Sequence, residues 1–203
     1  GKGDMFTAGN DMASFLAVPP DLAPEDNPTL QLMKKAALAK KPLIAAVNGP
    51  AVGIGVTLLC SFDLVYAAKD AWFLTPFVNI GIVPEAGSSV LMPLNLGWQS
   101  AAEFLLTGDK ISAQRAYDMG MVNRLLPVNE VADAAFEAAL SIAAKPPASV
   151  RMTKAMMKGD TSRIEQVIED EMKLVGERTQ SAEVKEAVAA FMEKRKPDFS
   201  NFD

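Results

Sequence analysis

The stretch from Lys41 to Met92 limits the possible folds of this chain more than any other, because it alternates short apolar runs with glycine-containing turns. Pro42-Leu43-Ile44-Ala45-Ala46-Val47 reads as a buried strand that stops at Asn48-Gly49-Pro50, and a helix is predicted from about Gly53 to Phe62. Asp63 to Ala68 then returns as a strand. That order of elements predicts a parallel layer of an α/β protein.

From Trp98 onward helices dominate. Ala101 to Thr107 reads as a helix closed by Gly108, and Ser112 is placed to cap the next, which stops at Gly120. A short strand is predicted over Val122 to Leu126, followed from about Val128 by a helical tail punctuated at Pro146-Pro147 and Gly159-Asp160. Ile164, Val167, Ile168, Met172 and Val175 recur at helical spacing, as do Val184, Val188, Phe191 and Met192. These stripes need a cover, which is either the chain's own core or a neighbouring subunit. Met152, Met156, Met157 and Met172 are read as core rather than as a cofactor box.

With 203 residues, 49% hydrophobic and 22% charged, the chain is long enough to bury one substantial core. Its net charge of -5 argues against nucleic acid as a partner, since phosphate binding rests on concentrated positive charge. The single cysteine, Cys60, excludes an intrachain disulfide framework and is read as inert core. No apolar run approaches the roughly 18 residues of a spanning segment, no secretory signal opens the chain, and Asn201-Phe202-Asp203 is not a peroxisomal address. The expectation is a cytoplasmic protein without a membrane partner.

The chain has no histidine, so proton transfer near neutral pH falls to carboxylates, lysines or tyrosines. Glu85, within Ile82-Val83-Pro84-Glu85-Ala86-Gly87-Ser88-Ser89, is the best candidate, because burial among apolar and small residues would raise its pKa towards neutrality. Ser88 and Ser89 could donate to Glu85 or cap a following helix. Asn79 is a weaker candidate for orienting the base, Asp63 is assigned a structural hydrogen bond, and Glu103 a solvated helix face.

Two glycine-containing loops carry a chemical reading. In Phe6-Thr7-Ala8-Gly9-Asn10-Asp11-Met12, Gly9 permits a tight bend that would expose the Asn10 N–H; an ordinary turn capped by Asn10 or Asp11 is the alternative. Asn48-Gly49-Pro50-Ala51-Val52-Gly53-Ile54-Gly55 leaves a strand and opens a helix, a junction that points free N–H groups outward, or is simply a tight connection. Its glycine gaps are not those of a dinucleotide fingerprint, and no P-loop lysine follows.

Together these loops and the Glu85 segment resemble the crotonase superfamily, the enoyl-CoA hydratase/isomerase fold. Phe6 to Asp11 resembles its first oxyanion loop and Ala46 to Gly53 its second; Ser61 to Ala67, Leu106 to Ala113 and Gly120 to Asn123 are similar to the elements that follow. The resemblance implies an α/β crotonase (ClpP-like) spiral of β-β-α turns over residues 1–127. It also implies a helical C-terminal trimerisation region over 128–203, a homotrimer or hexamer, and an acyl-CoA thioester as substrate. No metal and no separate cofactor is implied, coenzyme A being part of the substrate. The family's opening strands and helix are expected to be absent from this chain, which begins almost on the first loop.

Carried over position by position, the oxyanion hole would be the backbone N–H groups of Asn10 and Ile54, with Ala8, Gly9, Asp11, Gly53 and Phe77 contributing to substrate binding. The two glutamates of the hydratases are replaced here by Thr57 and Phe77. Glu85 falls where one branch of the Δ3,Δ2-enoyl-CoA isomerases carries its single catalytic glutamate. The resemblance therefore implies isomerisation of 3-enoyl-CoA to 2-trans-enoyl-CoA in the oxidation of unsaturated fatty acids. Another crotonase reaction on an acyl-CoA, hydratase-like, or a non-catalytic acyl-CoA-binding role are the alternatives. Trp72, Phe73 and Leu74 with Phe77 are expected either to wall the acyl site or to serve as core.

Overall fold

The computed structural model of the chain describes residues 1–10 and 26–202. Asp11, one of the expected substrate-binding residues, lies outside the described residues. Helix α1 (Pro28–Ala37) starts where the Asn27 side chain accepts hydrogen bonds from the N–H groups of Thr29 and Leu30, both at 3.1 Å, with Pro28 in the first turn. Strands β1 (Ile44–Val47) and β2 (Ala51–Val52) lead into α2 (Ile54–Thr57), a 3-10 turn at Leu58–Ser61, β3 (Leu64–Ala68), β4 (Trp72–Leu74) and a second 3-10 turn at Val78–Ile80. Then come α3 (Ser88–Leu96), α4 (Trp98–Thr107), β5 (Ile111–Ser112), α5 (Ala113–Asp118) and β6 (Arg124–Leu126). Four helices follow: α6 (Val128–Ala143), α7 (Pro147–Lys158), α8 (Ser162–Arg178) and α9 (Ala182–Met192).

The expected parallel layer is present. β3 lies between β1 and β6, parallel to both, pairing Ala45 with Val65 and Ala67 with Leu125. A second small sheet places β4 between β2 and β5, parallel to the former and antiparallel to the latter. Thr7 extends that sheet through a parallel bridge to Ala51, which brings the start of the chain onto the second glycine loop.

Two local expectations are corrected. The helix predicted from Gly53 to Phe62 is α-helical for one turn only and then tightens to 3-10, because Gly55, Val56 and Thr57 are weak helix formers and burial, not propensity, holds the segment. The strand predicted from Val122 begins at Arg124: Asn123 instead exchanges two bonds with Val65, its N–H donating to the Val65 carbonyl at 2.8 Å and its Oδ1 accepting from the Val65 N–H at 2.7 Å. The predicted caps hold at Ser112, which accepts from Arg115 N–H, and at Gly108, which closes α4 at positive φ.

The main core contains Val47, Val56, Phe73, Met92 and Phe104, so Phe73 of the expected acyl wall is core. Helix α6 covers β1 and β3, and α9 lies against the turn at Val78–Ile80. Helix α7 is anchored by the buried Lys154, which donates to Asp63 Oδ2 at 2.6 Å and to the Lys41 carbonyl at 2.7 Å; Asp63 also accepts from Leu43 N–H at 2.6 Å, the structural role expected of it. Met152, Met156 and Met157 of the same helix are exposed, which overturns the expectation that they are core. A second, smaller core gathers Leu30, Met33 and Ala37 of α1, Ile54 of α2, Ala86 and Ile168 of α8. It is this cluster that fixes the candidate site, because it joins the second glycine loop, the Glu85 segment and a helix from the far end of the chain.

Candidate active site

The two glycine loops meet. The Val52 N–H donates to the Thr7 carbonyl at 3.0 Å, the Gly9 N–H folds back onto Thr7 Oγ1 at 3.1 Å, and a Cβ added to Gly9 would stand 2.9 Å from the Val52 carbonyl oxygen. Gly9 has φ +86 and Gly53 φ +56, both in the region that disfavours other L-residues. Glycine at 9 therefore serves both backbone conformation and close approach. Gly53 N–H donates to the Leu74 carbonyl at 2.8 Å, which ties the second loop to β4 and leaves the chain turned so that Ile54 is the first residue of α2. A first-turn N–H has no acceptor within its own helix, so the Ile54 N–H is a donor directed away from α2.

One turn further on, Thr57 is fully buried and its Oγ1 donates to Glu85 Oε1 at 2.7 Å. Glu85 is 5% exposed, and among the described residues its second oxygen, Oε2, has no partner. Burial pushes the Glu85 carboxyl up to about 7; the Thr57 hydroxyl pulls in the opposite direction and the charge of Glu171 adds to the rise. A carboxylate held there is available to both accept and return a proton near neutral pH.

The backbone after Glu85 is unusual. Ala86 has φ +63 and Gly87 φ +76, two consecutive left-handed residues of which only the second is glycine. The turn is held from α8: the carboxylate of Glu171 accepts from the Gly87 N–H at 2.6 Å through Oε2 and from the Ser89 N–H at 2.9 Å through Oε1. Burial raises the pKa of Glu171, opposed by its bonds to Ser89 and Gly87.

Several expected residues take other places. Asn79 donates to the Gly108 carbonyl at 2.9 Å and pins the loop that ends α4, so it does not orient the base. Ser89 bonds Glu171 through its backbone N–H and its side chain, while Ser88 Oγ is buried and has no partner among the described residues, so neither is seen donating to Glu85. Phe77 is buried in the main core. Trp72 is half-buried on β4 with the Lys110 ammonium 4.3 Å from its ring centroid. Glu103 pairs on the surface with Arg115, and Cys60 is half-buried with its thiol pushed up to about 12 by burial. Two contacts around Glu85 were not expected from the sequence: the Thr57 hydroxyl on its carboxylate, and Glu171 on the turn that follows it.

A cavity of about 260 Å³ opens beside the first loop and α2, lined largely by apolar side chains that include Phe6, Leu32, Ile54, Leu58 and Phe62. A more open depression of about 360 Å³ runs along β6 past Gln114, Tyr117 and Asn123; it contains none of the candidate residues. Among the described residues no helix is long and apolar enough to cross a membrane.

The chain is similar to known proteins. The enoyl-CoA delta isomerase 2 of Rattus norvegicus is 36% identical over 97% of this chain and 51% of its own length, so the chain spans about half of that relative. A probable enoyl-CoA hydratase of Rhodobacter capsulatus is 34% identical over 98% of this chain and 79% of its own. The crystal structure of an enoyl-CoA hydratase/isomerase from Pseudoalteromonas atlantica T6c superposes with a TM-score of 0.89 at 37% identity, covering 98% of this chain and 78% of that one. Its fold is that of the crotonases, which accounts for the paired sheets and the glycine loops set beside them. The sequence profile for enoyl-CoA hydratase/isomerase matches residues 1–201, and with it this chain belongs to the enoyl-CoA hydratase/isomerase family of the crotonase superfamily.

Proposed function

We propose that this chain isomerises a 3-enoyl-CoA to the 2-trans-enoyl-CoA, with Glu85 as the single proton shuttle. The observation that carries the reading is the setting of Glu85, a buried carboxylate at about 7 that accepts from the Thr57 hydroxyl; by the family resemblance, Thr57 replaces one of the hydratases' two glutamates. Moving the double bond takes a proton from C2 and delivers one to C4. One carboxylate close to both carbons performs each step in turn.

The intermediate is a dienolate whose negative charge builds on the thioester oxygen. Backbone N–H groups of Asn10 and Ile54 are the donors for that oxygen, and loss of one such donor typically costs on the order of 10²- to 10³-fold in rate. Ala8, Gly9 and Gly53 shape the backbone around it, Asp11 follows the first donor, and Phe77, buried in the main core, belongs to this reading as apolar support that would help to exclude water. The apolar cavity beside Ile54 suits an acyl chain. Coenzyme A enters only as part of the substrate. Self-association as a trimer or hexamer belongs to the same reading, supported by Phe191 and Met192 of α9, which are 77% and 75% exposed.

A hydratase-like reaction is the second reading, favoured by the resemblance to the Rhodobacter capsulatus protein. Incubation with 3-enoyl-CoA and separately with 2-enoyl-CoA separates the two, with conjugation and hydration followed together. Isomerisation is expected to exceed hydration clearly; the reverse order rejects the proposal. No turnover by the wild type on either substrate leaves the acyl-CoA-binding reading, and retained turnover in Glu85→Gln removes Glu85 from the chemistry.

A further inference from the structure

Glu171 is a buried ionisable group that the mechanism above leaves unused, and unlike the buried Lys154 it lies beside the Glu85 segment. It lies on α8, more than eighty positions along the chain from the turn whose N–H groups it accepts. Gly87, at the N-cap of α3, has φ +76, a backbone conformation from which a serine or aspartate side chain would not cap; the carboxylate is instead brought in from another helix and buried to 5% exposure with no cation against it in the described structure. Lys34 on α1 is engaged with Glu165 and Glu169, and Arg178 with Glu183 and the Gly81 carbonyl; these contacts fix α8 from both ends and leave Glu171 to the turn.

We propose that Glu171 is a positioning residue for Glu85, holding the turn at Ala86 and Gly87 left-handed through its two backbone contacts so that the Glu85 carboxylate meets Thr57 and the reacting carbons in one orientation. The inference rests on the isomerase reading for its kinetic consequence. It stands on geometry: Glu85 has a single side-chain partner in the described structure, so its direction follows from the backbone at residues 85 to 87. That backbone includes a non-glycine residue at φ +63, a conformation that persists only where neighbours enforce it. The enforcing contacts are the bonds from Gly87 and Ser89, and the packing of Ala86 against Ile54 and Ile168.

Two consequences separate positioning from simple capping. Misplacing a base by a fraction of an ångström slows the chemical step while leaving acyl-CoA binding intact. Removing a negative charge beside Glu85 also makes Glu85 easier to ionise, so its titration midpoint falls. Glu171 is the charged group felt at Glu85 among the described residues, and the nearby Cys60 thiol, pushed up to about 12, stays neutral through the working range.

The test uses the full chain as wild type, Glu171→Gln, Glu171→Asp and Glu85→Gln, with kcat and KM on a 3-enoyl-CoA and a carboxyl carbon-13 titration in which Glu85→Gln identifies the Glu85 signal. Glu171→Gln is expected to lower kcat about 10- to 100-fold with KM within about twofold of wild type, and to move both the Glu85 midpoint and the acidic limb of kcat/KM to lower pH. Glu171→Asp keeps the charge but withdraws it from the N–H groups, so kcat falls while the midpoint stays near the wild-type value. Wild-type kcat in both variants overturns the proposal, as does a Glu85 midpoint unmoved in Glu171→Gln. If Glu171→Gln does not fold, wild-type kcat in Glu171→Asp is enough to overturn it. If the wild type converts no 3-enoyl-CoA, the isomerase reading fails by itself, and the role of Glu171 is read from the backbone amide signals of Gly87 and Ser89, which are expected to shift in Glu171→Asp and which overturn the proposal if they do not.

Discussion

The loops that offer N–H groups and the turn that carries Glu85 differ in where their supports lie along the chain. Gly9, Gly53 and Ile54 owe their arrangement mainly to backbone conformation and to strand pairing, Thr7 to Ala51 and Gly53 to Leu74, with the Thr7 hydroxyl accepting from the Gly9 N–H as a local side-chain support. Glu85 is held by side chains from two separate elements, Thr57 of α2 and Glu171 of α8, the latter reaching back from the helical part of the chain. One half of the site is thus tolerant of side-chain change and intolerant of backbone change. The other half depends on named side chains as well as on an enforced left-handed backbone at Ala86 and Gly87.

The sharpest test of that contrast is at the base. Glu85→Gln keeps volume and the acceptor for Thr57 but removes the ionisable oxygen, so kcat is expected to fall by about 10³-fold or more while acyl-CoA affinity survives. Glu85→Asp should lie between the two, since withdrawal by one methylene misplaces a carboxylate that must reach two carbons. Rate and affinity falling together in Glu85→Gln would assign the residue to folding instead.

On the donor side the corresponding change is Ile54→Pro. Proline at the first position of a helix removes an N–H that α2 itself does not use, and its fixed φ suits that position, so the element should survive. A loss on the order of 10²- to 10³-fold is expected, with an unchanged far-ultraviolet circular dichroism spectrum. Ile54→Val, which keeps both the N–H and most of the packing, should stay within a few-fold of wild type. Similar losses in both variants would mean that the side chain, not the donor, is what matters.

What could be read from the sequence divides along the same line. The glycine loops, the strands from Ile44 to Val47 and Leu64 to Ala68, and the caps at Ser112 and Gly108 are written in local residue chemistry, and they form as expected. Glu85 stood out as a lone carboxylate in an apolar segment. Glu171 did not, although it sits inside the apolar stripe of its helix: Ile164, Ile168, Glu171 and Val175 follow one another at spacings of a helical face, and a carboxylate there is the signal of a buried partner. Thr57 had the same disguise, a β-branched residue in an apolar helix whose hydroxyl acquires meaning only when Glu85 arrives from 28 positions away. Asn79 failed for the opposite reason, being close in sequence to Glu85 while its amide is taken by Gly108.

Thr57→Val sharpens the base side further, because its effect on pH should oppose that of Glu171→Gln. The Thr57 hydroxyl favours the ionised form of Glu85, so losing it raises the Glu85 carboxyl above about 7. A smaller fraction of the base is then ionised at neutral pH, and the acidic limb of kcat/KM moves to higher pH. About a 3- to 10-fold loss at pH 7 that recovers in alkaline buffer is the expected pattern. A loss that is the same at every pH would mean that Thr57 aligns the carboxylate without tuning its ionisation.

The smallest effect is expected at Asn10, and it bears directly on the donor half. If that half consists of backbone alone, Asn10→Ala keeps the N–H and, because Gly9 at φ +86 has already made the bend, leaves the loop path unchanged. Less than a tenfold loss of kcat is expected, against the far larger loss in Ile54→Pro. Gly9→Ala is the matching control: a Cβ at that position would stand 2.9 Å from the Val52 carbonyl and would also carry an unfavourable positive φ, so it displaces the backbone from which Asn10 donates. A greater loss in Asn10→Ala than in Gly9→Ala would place the Asn10 side chain itself on the substrate, and the separation between a backbone-built half and a side-chain-built half would no longer hold.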